Sequence, residues 1–94
     1  MTKKKIIEIM ETIKDPELGI DIWTLGLIYD ISIESKKRIK ILMTFTSPYC
    51  PVGDELVKNV KESLQKANFK EIKVEVTFNP PWQPKVELRE ALGI

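Results

Sequence analysis

The side chain best suited to chemistry is Cys50, the only cysteine of the chain, in the segment Thr46-Ser-Pro-Tyr-Cys-Pro51. Pro51 suits the first position of a helix, where its missing N–H costs nothing, which makes Cys50 the expected N-cap. At an N-cap the sulfur faces free backbone N–H groups and the positive end of the helix dipole. Both favour the thiolate, the form that binds metal or attacks an electrophile. The same position also suits a small apolar side chain tucked against the core, as free cysteines often are. Position alone leaves both readings open.

Asp15-Pro16-Glu17 sets two carboxylates in a stiff turn. They could receive a proton or give a metal an oxygen ligand, although by spacing alone a solvated helix-ending turn is the plainer reading. Near Cys50 they would oppose the dipole and raise the thiol pKa. Asn79-Pro80-Pro81-Trp82 makes a stiff corner bearing an aromatic ring. Trp82, like Trp23, could shield a site, dock a partner or cover the open end of a small core. Histidine is absent, which removes the commonest general base, any Cys–His pair within one chain and the most usual zinc ligand. No CxxC, GxGxxG, GxxxxGK[ST] or HExxH occurs.

These residues need a scaffold, and the hydrophobic periodicity supplies one. Ile6, Ile7, Met10 and Ile13 form a helical stripe, so a first helix is expected from Lys3 to Lys14, with Thr2 as N-cap and Asp15-Pro16 as its stop. Lys3-Lys4-Lys5 is then a solvated face. The connection Leu18 to Leu25 is too apolar for a purely solvated loop and should pack onto the domain. Two alternating runs follow: Leu27, Tyr29, Ile31 and Ile33, then Ile39, Ile41, Met43 and Phe45. Ser35 to Arg38 between them predicts a hairpin, which accounts for Lys36-Lys37-Arg38 without a ligand. A second helix is expected from Pro51 to Ala67, a third strand from Ile72 to Phe78, and a short helical end from Val86 to Leu92 before Gly93. The predicted fold is a compact α-β-β-α-β-(α) domain of the α/β (α+β) class. The second and third strands, joined through a helix, are expected to be parallel in a small mixed sheet, with both long helices on one face.

Ninety-four residues suit a single domain, 1–94. A net charge of +1 leaves no electrostatic footprint for nucleic acid or an acidic membrane. An element order of this kind also occurs in KH-type RNA-binding domains, but those need a GXXG loop, and the glycines here (19, 26, 53 and 93) never stand three apart. The apolar stretches are too short to span a bilayer, and the basic start is followed by no export segment. One cysteine suits a reducing compartment, so a cytoplasmic location is expected.

Three segments together resemble the metal–sulfur cluster biosynthesis family, which includes SufT, PaaD-type proteins and the small domain of eukaryotic cytosolic iron–sulfur assembly. They are Asp15-Pro-Glu-Leu-Gly-Ile-Asp-Ile-Trp-Thr-Leu-Gly-Leu-Ile-Tyr-Asp30, Thr44-Phe-Thr-Ser-Pro-Tyr-Cys-Pro51 and Thr77-Phe-Asn-Pro-Pro-Trp82. The resemblance implies the same small α/β fold and a role in assembling or delivering iron–sulfur clusters. It places the family's cysteine at Cys50, as metal or cluster ligand, with Asp15, Glu17, Leu18 and Thr46 as the supporting polar and apolar positions. Thr24 and Asn79 stand where the family commonly has aspartates, so a purely acidic site is not expected.

Clusters are usually held by four thiolates and this chain offers one, so a cluster or iron would be shared with a second chain, a partner or a small thiol. The expected protein is therefore a maturation factor, not an enzyme, with Thr46 orienting the loop through its hydroxyl. Its expected partners are iron–sulfur assembly proteins or client apo-enzymes, with a homodimer also allowed. Two other readings compete: a scaffold that docks a client through Trp23 and Trp82 with Cys50 structural, and a thiol enzyme with Cys50 as nucleophile.

Overall fold

The computed structural model describes residues 2–16, 18–46 and 53–83. Its elements run α1 (Lys3–Met10), β1 (Ile28–Ile33), β2 (Arg38–Met43), α2 (Gly53–Lys66) and β3 (Glu71–Val76). Thr2 caps α1 as its sequence predicts, its Oγ1 accepting a hydrogen bond from the Lys5 N–H at 3.4 Å. In α2, Asp54 and Glu55 in the first turn and Lys66 in the last match the helix dipole. Leu56, Val60 and Leu64, four residues apart, are its buried stripe. The helix ends where Asn68 enters the left-handed region at φ 74°, letting the Phe69 N–H reach the Leu64 carbonyl at 3.2 Å.

The sheet has the order β1-β2-β3, with β1 antiparallel and β3 parallel to β2. The mixed sheet and the parallel pair are as the sequence predicts. Ile39, Ile41 and Met43 on central β2 are fully buried, in one core with Ile6 and Met10 of α1 and Leu56, Val60 and Leu64 of α2. Burying side chains of this size contributes about 1.5–3 kcal/mol each, so this face drives assembly. The opposite face is polar: Glu75 meets Lys73 at 3.1 Å and Lys40 at 3.4 Å. The hydrogen bond from Lys73, then the charge of Lys40, holds the Glu75 carboxyl below its ordinary range. The basic turn is a hairpin, as expected, closed by the Glu34 N–H on the Arg38 carbonyl, and Arg38 bridges to Glu71 of β3.

Several boundaries differ from expectation. The first helix stops at Met10 instead of Lys14, because the backbone beyond it is recruited by a distant partner. The Ile22 N–H donates to the Ile13 carbonyl at 2.8 Å, and Lys14 forms a bridge with Asp21. In β1 the strict alternation breaks, since Ile28 pairs with Met43 but Asp30 with Leu42, leaving Tyr29 as an extra residue. The Tyr29 hydroxyl donates to the Pro80 carbonyl at 2.8 Å. The second strand ends at Met43 rather than Phe45, and the third at Val76 rather than Phe78. The expected start of the second helix at Pro51 and the short helix from Val86 to Leu92 lie outside the described residues.

Two contacts close the end of the sheet where β2 and β3 finish. Gly53 opens α2 directly on the Phe45 ring: a Cβ there would stand 2.6 Å from Phe45 Cε2 and 2.8 Å from Cζ. Beyond β3 the chain crosses back, and Trp82 Nε1 donates to the Leu25 carbonyl at 2.6 Å.

Gly53→Ala should therefore destabilise in chemical denaturation, because overpacking of about 1–3 kcal/mol exceeds a helix-propensity gain of about 0.5–1 kcal/mol. In a Phe45→Ala background the same change should become stabilising. Trp82→Phe should cost about 0.5–1.5 kcal/mol in the same measurement, through the lost hydrogen bond.

Candidate functional site

The strand register decides which segments meet. Ile28 stands opposite Met43, and Met43 opposite Val76, so the start of β1 and the ends of β2 and β3 share one end of the sheet. Leu25–Leu27, the residues Thr44–Thr46, the start of α2 and the crossing segment 77–83 gather there. Main-chain bonds tie them together: the Thr44 N–H reaches the Leu27 carbonyl and the Thr77 N–H the Met43 carbonyl, at 2.8 and 2.9 Å.

Asp15, expected to be a polar support, is 1% exposed, unlike a residue of a solvated turn. Its Oδ1 accepts from the Leu18 N–H at 3.1 Å, its own N–H donates to the Ile20 carbonyl, and its carbonyl accepts from Gly19. Gly19 sits at φ 69°, a left-handed conformation that favours glycine, so residue type as well as Asp15 supports this turn. Leu18 and Ile20 are half-buried against the core, while Ile22 and Leu25 are fully part of it. The apolar connection thus packs as expected. Thr46 is half-buried at the last described position before the Cys50 segment. Glu17, Cys50 and the expected N-cap geometry of Cys50 lie outside the described residues. Thr24 ends a local turn, its N–H donating to Asp21 Oδ2 at 2.8 Å.

The two tryptophans are half-buried, packed against the core at different places. Trp82 lies across Leu25 and Gly26. Trp23 lines a shallow groove of about 190 Å³ with Lys3, Ile7, Tyr29 and Asp30. The apolar surface at the gathering end is carried instead by Phe78, 43% exposed, whose ring packs edge-on against Phe45 at a centroid distance of 6.1 Å. Phe45, Phe78 and Gly53 were not foreseen as part of this region. The signal that finds them is the β2–β3 register, which sets positions 45 and 78 side by side two residues past Met43 and Val76. Among the described residues no three His, Cys, Asp or Glu side chains stand close enough to hold a metal ion. The gathering end carries the Thr44 and Thr46 hydroxyls, Asp15 Oδ1 accepts within the turn 15–20, and the sequence sets the thiol between Thr46 and Gly53.

Residues 3–78 match the family described as iron–sulfur cluster assembly protein. The chain is 40% identical over 81 residues to the Fe-S protein maturation auxiliary factor YitW of Bacillus subtilis, covering 85% of this chain and 79% of that one. It is 36% identical over 78 residues to the Fe-S protein maturation auxiliary factor SufT of Staphylococcus aureus, covering 82% and 89%. A solved conserved hypothetical protein from Thermotoga maritima superposes with a TM-score of 0.86 at 38% identity, covering 100% of this chain and 96% of that one. The fold and its sequence thus agree over nearly the whole length, and the chain belongs to the iron–sulfur cluster assembly protein family.

Proposed function

We propose that this protein assembles iron–sulfur clusters or matures the proteins that carry them, with Cys50 as a transient ligand of iron or of the cluster. Family membership supports the role, and two relatives carry the name of maturation auxiliary factors. The observation that supports the site is the gathering of Leu25–Leu27, Thr44–Thr46 and the start of α2 at the carboxyl end of the parallel strands. Ligands of open α/β sheets favour that end. Chain connectivity ties Cys50 to it, four residues from Thr46 and three from Gly53.

In this reading Asp15 holds the turn and ligates nothing, since its carboxylate accepts from the Leu18 N–H. Glu17 and Leu18 are the supporting residues that the family resemblance implies, and Thr46 orients the loop through its hydroxyl. One thiolate falls short of the four that usually hold a cluster, so the remaining ligands come from a partner or a small thiol. The protein then acts by handing iron or a cluster on, not by turnover. Its partners are iron–sulfur assembly proteins or apo-proteins awaiting a cluster, and exposed Phe78 offers them an apolar contact at that end of the sheet.

Anaerobic reconstitution with iron and sulfide, in the presence of a small thiol, tests the ligand role. Wild type should bind iron and Cys50→Ser should lose most of it; equal uptake by both would remove Cys50 from the site. Asp15→Ala should behave differently, losing about 1–3 kcal/mol of stability by thermal unfolding while the folded fraction keeps its iron uptake.

A further inference from the structure

We infer that β3 is a self-pairing edge, through which two copies of this chain join their sheets into one antiparallel six-stranded sheet. Among the described residues β1 and β3 are the two edges, and they differ. The extra residue at Tyr29 breaks the β1 edge, as a bulge does when it guards against pairing. β3 pairs with β2 in unbroken register from Glu71 to Val76 and has no such guard.

The direction of the β3 backbone groups follows from its bonds to β2. The N–H groups of Glu71 and Thr77 donate to Lys37 and Met43, so the alternating residues Ile72, Val74 and Val76 turn their N–H and C=O groups outward. An antiparallel partner must therefore place these three residues opposite one another. Pairing Val74 with Val74 of a second copy does so, and sets Ile72 against Val76 on both sides. Each of the three pairs exchanges two hydrogen bonds. The same register puts Lys73 opposite the second copy's Glu75, twice, on the solvent face, where opposite charges favour pairing. Sliding one strand by two residues sets Glu75 against Glu75, or Lys73 against Lys73 and Glu71 against Glu75. Charge thus selects the register centred on Val74. On the other face, half-buried Ile72 and Val74 and 38%-exposed Val76 gain an apolar neighbour. Because the strands run antiparallel, the two carboxyl ends point in opposite directions, so this pairing is independent of the proposed Cys50 role and does not share a cluster between the copies.

Sedimentation equilibrium of the full chain over the micromolar to millimolar range tests the pairing. Wild type should approach twice the mass of the 10.9 kDa chain. Val74→Pro, which removes an outward N–H at an edge, should remain monomeric. Lys73→Glu and Glu75→Lys should each weaken association by about tenfold or more, and an equimolar mixture of the two should restore it, because every cross-pair is again of opposite charge. The mixture decides the matter even if Val74→Pro fails to fold. A wild-type monomer at all concentrations would overturn the proposal, and slow exchange of the Ile72, Val74 and Val76 amides in that monomer would point to residues 84–94 of the same chain as the cover. A dimer that persists equally in every variant would overturn it too.

Discussion

The end of β2 carries the largest share of the architecture. Met43 is fully buried, pairs with Ile28 on one side and Val76 on the other, and accepts the Thr77 N–H. Thr44, next along and equally buried, donates to Leu27. Because β1 is antiparallel to β2 while β3 is parallel to it, this one position forces the entry to β1 and the exits of β2 and β3 to coincide. Apolar pressure from α1 and α2 on Ile39, Ile41 and Met43 holds the arrangement. The aromatic pair Phe45 and Phe78 and the start of α2 occupy the place they do because the register brings them to that end.

Around that end, small features decide what is rigid. Gly53 lets α2 begin against the Phe45 ring, and Phe45 in turn supports Phe78. Trp82 returns from beyond β3 to the Leu25 carbonyl, and Tyr29 reaches Pro80, so the crossing segment is fixed at two points. The proposed role asks for such a frame, because a thiol offered as one ligand among several needs the others to be brought from outside. A preorganised approach lowers the ordering cost when a partner arrives.

Much of this was legible in the sequence. The alternation of Ile39, Ile41 and Met43, the spacing of Leu56, Val60 and Leu64, and the basic hairpin turn each follow from local periodicity and turn chemistry. What escaped depends on distant partners. Ile13 continues the helical stripe, yet its carbonyl is taken by Ile22, and the helix ends early. The extra residue at Tyr29 accompanies a hydroxyl bonded 51 positions away, and Trp82 finds a carbonyl 57 positions away. Asp15 looked like a solvated turn residue because its burial comes from the packing of the connection that follows it. Cys50 could be singled out by residue type alone, whereas the meeting of Phe45, Phe78 and Gly53 needed the β2–β3 register.

The account rests on Cys50 as the residue through which iron or a cluster passes. The most direct measurement is complementation of a bacterium lacking its own maturation factor of this family, read as the activity of its iron–sulfur enzymes at matched protein levels. The account predicts that the wild-type chain restores these activities and that Cys50→Ser, equally abundant and folded, does not. Full restoration by Cys50→Ser would contradict it.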